Sequence, residues 1–178
     1  MRESGILMHI TSLPGNHGVG TMGKEAFRFV DFLKESDQRL WQILPLTPTG
    51  YGDSPYQSCS AYAGNHYLID LELLVEEGLL QKQQVQSVDW FLCANRVDYG
   101  LLYQNRLALL RLAYANFRDG AALDEFCQKN SRWLPDFALY MALKDHNDGK
   151  AWYQWDAPLR NRQPDAIWQA RQNLKEDI

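Results

Sequence analysis

The sequence predicts an α/β protein that begins as the first part of a (β/α)8 TIM barrel and continues into a mainly helical region. Two apolar runs, at residues 5–10 and 40–45, have the continuous hydrophobicity of buried parallel strands. A helical pattern between them completes a βαβ unit, which requires a parallel sheet with a right-handed crossover. A whole barrel needs about 250 residues and eight strand–helix repeats. The 178 residues therefore predict an incomplete barrel.

The first strand is followed by a turn and a loop, and then by the predicted helix. The turn at residues 11–15 and the loop at 16–23 are rich in glycine, but their spacing matches neither phosphate-loop pattern and no Lys-Ser or Lys-Thr pair follows. From Lys24 onward apolar residues recur at helical spacing, with charged side chains on the opposite side. We expect an amphipathic helix of about three turns. Its apolar residues are Ala26, Phe27, Phe29, Val30, Phe32 and Leu33.

A long loop without helical or strand periodicity follows the second apolar run. Loops of this length inside a compact domain are usually binding or active-site loops. This one carries Tyr51, Tyr56, Tyr62 and Tyr67 among glycine, proline, serine and threonine residues. An aromatic ring can stack on a flat apolar face while polar groups bind the edge hydroxyls. The composition of the loop therefore indicates a sugar ligand.

The remainder of the chain is predicted to be mainly helical. Asp70 is a good N-cap for a helix at residues 71–77, and Gly78 is placed to end it. Further helices are predicted at 98–118, 121–130, 133–147 and 165–178. The first of these has Leu101, Leu102, Leu109, Leu112 and Ala113 on its inner side. The last has no C-cap residue, which predicts a chain that stops within an element.

Composition excludes several classes of function. A net charge of −4 with scattered lysine and arginine residues argues against nucleic acid and anionic membranes as partners. No leader or membrane span is evident, so the default location is the cytoplasm. Cys59, Cys93 and Cys127 are too widely spaced for a zinc site and are expected to be free thiols. We expect no cofactor and no metal.

Several motifs, in one order along the chain, closely resemble the 4-alpha-glucanotransferases of glycoside hydrolase family 77, which are also called amylomaltases or disproportionating enzymes. The resemblance begins at residues 2–9 and 11–15 and extends through 97–100, 140–144 and 152–155. Its most specific parts are Trp41-Gln42-Ile43-Leu44-Pro45-Leu46, Gly50-Tyr51-Gly52-Asp53-Ser54-Pro55-Tyr56-Gln57-Ser58 and Ala63-Gly64-Asn65.

This resemblance implies a retaining enzyme that cuts an alpha-1,4 glucan and transfers the cleaved segment to the 4-hydroxyl of another glucan or of glucose. Such chemistry uses two carboxyl groups about 5–5.5 Å apart and a covalent glycosyl-enzyme intermediate. The family's catalytic motifs are absent from the sequence, so the resemblance places the nucleophile and the acid/base beyond Ile178. It also divides the chain into a first βαβ unit at 1–70, a helical insertion at 71–160, and a helix at 161–178 that leads back to the barrel.

The resemblance also implies which residues bind substrate, namely maltooligosaccharides or alpha-1,4-glucans. Tyr56 corresponds to an aromatic platform at the cleavage site, and Ser54 to a hydrogen-bonding neighbour. Tyr51 and Tyr99 resemble aromatic residues of a second glucan-binding surface. Asp53 lies in the same loop, where capping of the turn through its own backbone is the more common function of such a residue.

The other conspicuous side chains have structural interpretations. His9 is more simply explained as a core group than as a base. Trp41 is expected to pack in the core, and Cys59 has no basic neighbour that would activate it. Packing between helices is the expected role of four further tryptophans, Trp133, Trp152, Trp155 and Trp168.

Two other functions fit the sequence. The chain could be a non-catalytic glucan-binding fragment that uses the tyrosine loop without a carboxylate pair. It could also belong to an alpha-glucan hydrolase of the same barrel group. The oligomeric state does not follow from the sequence.

Overall fold

The computed structural model describes residues 2–50, 52–90 and 96–178. The described part consists of two compact units, residues 1–118 and 119–178, which are called the N-terminal and C-terminal units below. The strands are β1 (Gly5–Leu7) and β2 (Leu40–Gln42). The helices are α1 (Lys24–Glu35), α2 (Leu71–Glu76), α3 (Lys82–Gln86), α4 (Tyr99–Asn116), α5 (Gly120–Lys129), α6 (Leu134–His146), α7 (Ala157–Arg160) and α8 (Pro164–Asn173).

The predicted βαβ unit is present. Strands β1 and β2 pair in parallel, with Ile6 opposite Trp41, and α1 makes the crossover between them. The pairing continues past β1, because the Met8 amide donates to the Gln42 carbonyl at 3.0 Å. Gly5 is required at the start of the strand, since a Cβ atom there would lie 2.3 Å from the Leu40 carbonyl oxygen.

The prediction that both strands are buried is wrong for the described structure. The strands are shorter than the apolar runs, and Leu7 and Leu40 are 59% and 52% exposed. The physical reason is that the sheet of the described residues has two strands, so each strand has one neighbour and few side chains above it.

Helix α1 is amphipathic as predicted, but part of its apolar surface is open. Leu33 is buried, and Phe29 packs its ring 4.9 Å from the ring of Trp41. The side chains of Phe27, Val30 and Phe32 are 69%, 48% and 51% exposed. The helix therefore covers the two strands with one side only.

The larger core cluster of the N-terminal unit lies between α2, α3 and α4, and a smaller one comprises Ile10, Leu13 and Leu68. Leu71 and Leu102 are 0% and 1% exposed and belong to one cluster with Leu109 and Ala113. The predicted inner side of α4 is confirmed at these α4 positions, whereas Leu112 is 43% exposed and was wrongly assigned to it.

The caps of α2 agree with the sequence. The Asp70 carboxylate accepts the Leu73 amide at 3.0 Å, and Gly78 follows the helix with a φ of +75°. In the left-handed region glycine carries no side-chain penalty. Helices α3 and α7 were not predicted, because each has a single turn or little more and shows no clear periodicity.

The C-terminal unit is formed by α5 to α8. Its core comprises buried side chains of α6 and α8 together with Trp155, which is 7% exposed. The predicted last helix is shorter than expected, since α8 ends at Asn173, and the amide of its C-cap residue Leu174 makes the final helical hydrogen bond to the Ala170 carbonyl. Among the described residues, no helix is long and apolar enough to cross a membrane.

Candidate functional site

The candidate site lies in the loops that follow β1 and β2. Because the strands are parallel, their carboxyl ends point to the same edge of the sheet. The loop after β1 leads to α1, and the loop after β2 runs to a 3-10 turn at His66–Leu68. The two loops meet where the Met22 amide donates to the Leu68 carbonyl at 2.9 Å. The two loops therefore lie at one edge of the sheet.

Two successive tight turns shape the tyrosine loop between residues 50 and 57. The Asp53 amide donates to the Gly50 carbonyl at 3.1 Å, and the Gln57 amide donates to the Ser54 carbonyl at 3.1 Å. The Gly50 amide closes the loop by donating to the Gln57 carbonyl at 3.0 Å. Asp53 has a φ of +55°, a conformation that aspartate tolerates better than most residues.

Tyr56 points into solvent from this closed loop. Its side chain is 72% exposed, although its backbone is held on both sides by the turns. The Tyr56 amide also donates to the Ser54 hydroxyl oxygen at 3.3 Å. That contact uses one acceptor lone pair of Ser54 and leaves its O–H group as a possible donor. The loop therefore offers an open aromatic face beside a hydroxyl group.

The far end of the tyrosine loop is anchored by Asn65. This residue is 6% exposed, its backbone amide donates to the Leu46 carbonyl at 2.8 Å, and its side-chain Oδ1 accepts the Tyr67 amide at 2.9 Å. A buried asparagine whose backbone amide and Oδ1 both have partners in one loop holds both loop ends together. Sequence reasoning did not single out Asn65 as an anchor; its position before an aromatic residue and a short turn is the only signal.

Tyr99 connects the two loops from the first turn of α4. Thr11 in the loop after β1 lies close enough to the Tyr99 hydroxyl group to influence its pKa, and the Tyr99 ring lies 5.9 Å from that of Tyr67. Burial raises the pKa of Tyr99, and burial raises the pKa of Tyr67 to about 12. The Asp53 carboxylate adds to both increases, since a nearby negative charge disfavours ionised phenols. Partial burial likewise raises the pKa of Asp53.

Arg106 of α4 holds the segment that follows the loop. It is completely buried and donates through Nη2 to the Ile69 carbonyl. Asp70 acts electrostatically on this guanidinium, and its carboxylate also accepts a hydrogen bond from Thr21. Burial lowers the pKa of Arg106 to about 10. Arg106 was missed because one arginine in a leucine-rich helix looks like a solvated charge in the sequence.

The three histidines of this region, His9, His17 and His66, are half-buried. Burial, with a smaller contribution from the Arg106 charge, lowers the pKa of His66 to about 4. Burial also lowers the pKa of His9 and His17, and His17 contacts Trp90 edge-on at 5.6 Å. His9 is partly buried, and its Nδ1 has no hydrogen-bond partner within the described part of the chain. A low pKa keeps these rings neutral at pH 7.

The remaining predicted residues are distributed as follows. Tyr51 lies outside the described residues, as does Cys93. Cys59 and Cys127 are free and exposed, and Trp41 packs in the core and donates to the Met8 carbonyl at 2.8 Å. Across residues 2–50, 52–90 and 96–178, no group of three or more histidine, cysteine or acidic side chains is placed to hold a metal ion.

Comparison with known proteins gives matches along the whole chain. A family model described as 4-alpha-glucanotransferase matches residues 8–178. The chain is 48% identical over 181 aligned residues to the 4-alpha-glucanotransferase of Streptococcus pneumoniae serotype 4 and 46% identical over 183 to that of Thermus thermophilus. Each alignment covers 99% of this chain and 36% of the relative. The chain thus spans about a third of the length of the curated relatives it matches.

A solved structure agrees with these matches. The amylomaltase from Streptococcus agalactiae, in complex with acarbose, superimposes with a TM-score of 0.94 at 47% sequence identity. The superposition covers 99% of this chain and 37% of that chain. The predicted fold class, the first part of a barrel followed by a mainly helical region, is confirmed by this match.

Proposed function

Because the chain belongs to glycoside hydrolase family 77, the 4-alpha-glucanotransferases, we propose that the protein containing it transfers segments of alpha-1,4-glucans from a donor glucan to an acceptor. The donor is cut at an alpha-1,4 bond, and the cleaved segment passes to the 4-hydroxyl of a second glucan or of glucose. The observation that carries the proposal is the match to relatives of this name across 99% of the chain.

Within this function, the tyrosine loop binds the donor glucan at the cleavage site. The open ring of Tyr56 stacks on the apolar face of a glucose unit, and the Ser54 hydroxyl donates to a sugar hydroxyl beside it. The double turn supports this assignment, because a ring held on a fixed backbone loses less conformational entropy when sugar binds. Asp53 contributes charge and an acceptor at the same turn.

Tyr99, together with Tyr51, is assigned to a second glucan-binding surface. Tyr99 is half-buried and contacts the ring of Tyr67, so a glucan would contact the part of its ring that stays exposed. This surface would prefer long glucans, because only they can occupy the cleavage site and a second surface together.

The bond-breaking step needs two carboxyl groups that we assign to the protein beyond residue 178. One carboxylate attacks the anomeric carbon as the other, protonated, gives its proton to the departing glycosidic oxygen. The second group then removes the proton from the acceptor's 4-hydroxyl, which displaces the enzyme carboxylate and restores the alpha configuration. The domain assignment, with residues 1–70 in the barrel and 71–160 as an insertion beside it, belongs to the same proposal.

The proposed substrate defines the binding partners, and the cysteines indicate the location. Maltooligosaccharides and alpha-1,4-glucans are the ligands, and nucleic acid and membrane surfaces are not. The free thiols of Cys59 and Cys127 support a reducing compartment, for which we propose the cytoplasm.

Incubation of the complete gene product with maltotriose tests the proposal. We expect glucose together with maltopentaose and longer oligomers, without a net gain in reducing ends, because each transfer makes one bond for every bond it breaks. Chromatography of the products combined with a reducing-end assay measures both quantities.

Two other results would each contradict transfer. Shorter sugars with a rise in reducing ends would identify an alpha-glucan hydrolase. Unchanged maltotriose, with maltoheptaose still bound, would identify a glucan-binding protein without catalysis.

A further inference from the structure

The C-terminal unit contains a pocket that the proposed function does not use. The pocket has a volume of about 300 Å³ and lies between α6, the 3-10 turn at Trp152–Gln154, α7 and α8. Its floor is apolar and includes Leu139, Leu143 and Ile167. A volume near the lower end of the range for small organic ligands suits one or two sugar rings.

Two indole rings of very different exposure line this pocket. Trp155 is 7% exposed, lies 5.6 Å from the Tyr140 ring, and donates through Nε1 to the Lys150 carbonyl at 3.1 Å. Trp152, which also lines the pocket, is 53% exposed. Interhelical packing was predicted for both, and it is wrong for Trp152.

The open position of Trp152 is set by an ordered turn. The Gln154 amide donates to the Ala151 carbonyl at 2.8 Å, and the Gln154 side chain accepts the Ala151 amide at 3.3 Å. Residues three apart in a 3-10 turn lie on the same side, so Trp152 and Trp155 belong to one wall. One ring completes the core, and the other is left as a free aromatic surface at the opening.

Charged side chains surround the opening. The Asp136 carboxylate accepts hydrogen bonds from Arg162 at 3.0 Å and from Arg171 at 3.2 Å. Arg160 donates through Nη1 to the Tyr153 carbonyl at 3.3 Å. A guanidinium has five N–H donors, so the arginines keep donors that could bind a ligand. The Asp136 carboxylate likewise keeps lone pairs that could accept hydrogen bonds.

From this arrangement we propose that the pocket is an accessory binding site for a glucosyl unit of an alpha-glucan, with Trp152 as its stacking platform. The choice of glucan as the ligand rests on the proposed function. The ring of Trp152 covers the apolar face of the sugar, and Asp136, Arg160 and Arg162 bind hydroxyl pairs at its edge.

The mixed charge of the rim favours a neutral sugar. Asp136 stands between two arginines, so an anionic group at the same place would meet a carboxylate as well as guanidinium groups. A neutral ring with many hydroxyls can use donors and acceptors of both signs without that repulsion.

Occupation of this pocket affects long glucans only. A long chain can bind at the cleavage site and at an accessory site together, and the second contact then adds to its apparent affinity. Maltotriose is too short to gain from a second contact.

NMR of the complete gene product tests binding directly. Its indole N–H signals are recorded as maltose is added, and the Trp152 signal is assigned from its loss in Trp152→Phe. We expect the Trp152 signal to shift with maltose and to need higher concentrations of glucose 1-phosphate. An unmoved Trp152 signal at maltose concentrations well above the KM for maltotriose would overturn the proposal, as would tighter binding of glucose 1-phosphate.

Steady-state kinetics of a variant and a matched control tests whether the pocket increases the affinity for long glucans. Trp152→Ala should raise the KM for amylose about two- to tenfold, the range expected for one lost aromatic contact, and leave both kcat and KM for maltotriose unchanged. Trp168→Ala is the control, because Trp168 is 62% exposed in α8 of the same unit and does not line the pocket. An equal effect of the two variants on amylose would refute the accessory site.

The two proposals fail separately. If the wild-type protein does not disproportionate maltotriose, the proposed transfer is wrong, but the NMR titration still shows whether maltose binds beside Trp152. If disproportionation proceeds and the Trp152 signal does not respond, only the accessory site is lost.

Discussion

At the scale of single residues, the proposed binding of the donor glucan depends most on the exposed ring of Tyr56. We expect Tyr56→Ala to lower kcat/KM for maltotriose about tenfold, because it removes one aromatic contact with the sugar, and to leave stability nearly unchanged, because the ring is 72% exposed. Initial rates of glucose release measure the first quantity, and urea unfolding measures the second.

A matched control separates this effect from a general loss of surface tyrosine. Tyr114 is 65% exposed in the last turns of α4, outside the tyrosine loop. Tyr114→Ala should keep the wild-type kcat/KM. Wild-type activity of Tyr56→Ala would remove this residue from the site.

The lowered pKa of His66 predicts how the stability of the folded protein depends on pH. Its pKa in the folded state is about 4, below the ordinary value of 6.5, so the folded protein binds the proton less readily than the unfolded chain does. The stability linked to the neutral ring is complete above pH 6.5 and is lost as the pH falls toward 4. This loss amounts to as much as about 3 kcal/mol.

An NMR pH titration of the imidazole signals measures this pKa directly. We expect the His66 signal, identified by its absence in His66→Gln, to titrate near pH 4. The His146→Gln variant, which removes an exposed histidine from the last turn of α6, should retain this signal. A His66 midpoint near 6.5 would contradict the burial of the ring.

At the scale of elements, Asp70 joins three parts of the N-terminal unit. It caps α2 through the Leu73 amide, accepts a hydrogen bond from Thr21, and interacts electrostatically with the buried Arg106. We expect Asp70→Ala to reduce the free energy of unfolding by about 3 kcal/mol, because the loss of the cap is combined with an uncompensated buried charge. Urea unfolding monitored by circular dichroism provides the measurement.

Asp98 is the control for the cap alone. It accepts the Leu101 amide at 3.1 Å at the start of α4. Asp98→Ala should therefore cost only about 1 kcal/mol. Equal losses in the two variants would mean that the contacts of Asp70 with Thr21 and Arg106 contribute nothing.

The elements that the sequence predicted are those with local signals. The βαβ unit follows from two apolar runs with an amphipathic helix between them, and the start of α2 follows from Asp70. Exposure of the strands could not be predicted, because burial of β1 depends on neighbouring strands and not on its own residues. The end of α8 at Asn173 was also missed, because no Gly, Asn or Pro follows it in the sequence and the helical pattern continues to residue 178.

The site was predictable only in part. The tyrosine loop is visible from its length and composition, whereas its anchors, Asn65 and Arg106, depend on contacts between residues far apart in the sequence. The open ring of Trp152 was likewise unexpected, because aromatic residues near helices are usually buried.

At the scale of the whole molecule, the exposed apolar surface of the βαβ unit predicts how the 178-residue chain behaves alone. Leu7, Phe27, Phe32 and Leu40 are each more than half exposed, and the strands have unpaired edges among the described residues. We expect the chain to associate and to bind a hydrophobic dye, because both features favour contact between copies. Light scattering and dye fluorescence measure the two effects.

Substitution on this surface provides the control. Phe27→Ser combined with Phe32→Ser should reduce association, whereas Phe126→Ser, at a residue 50% exposed in α5, should have little effect. A monomeric wild-type chain with one cooperative unfolding transition would contradict the prediction.

Sugar binding by the tyrosine loop is tested by a crystal structure of the complete gene product with acarbose, the compound bound in the Streptococcus agalactiae amylomaltase. We predict a sugar ring stacked on Tyr56, with a hydrogen bond from the Ser54 hydroxyl. Acarbose bound elsewhere, with the loop at residues 50–57 free of sugar, would contradict it.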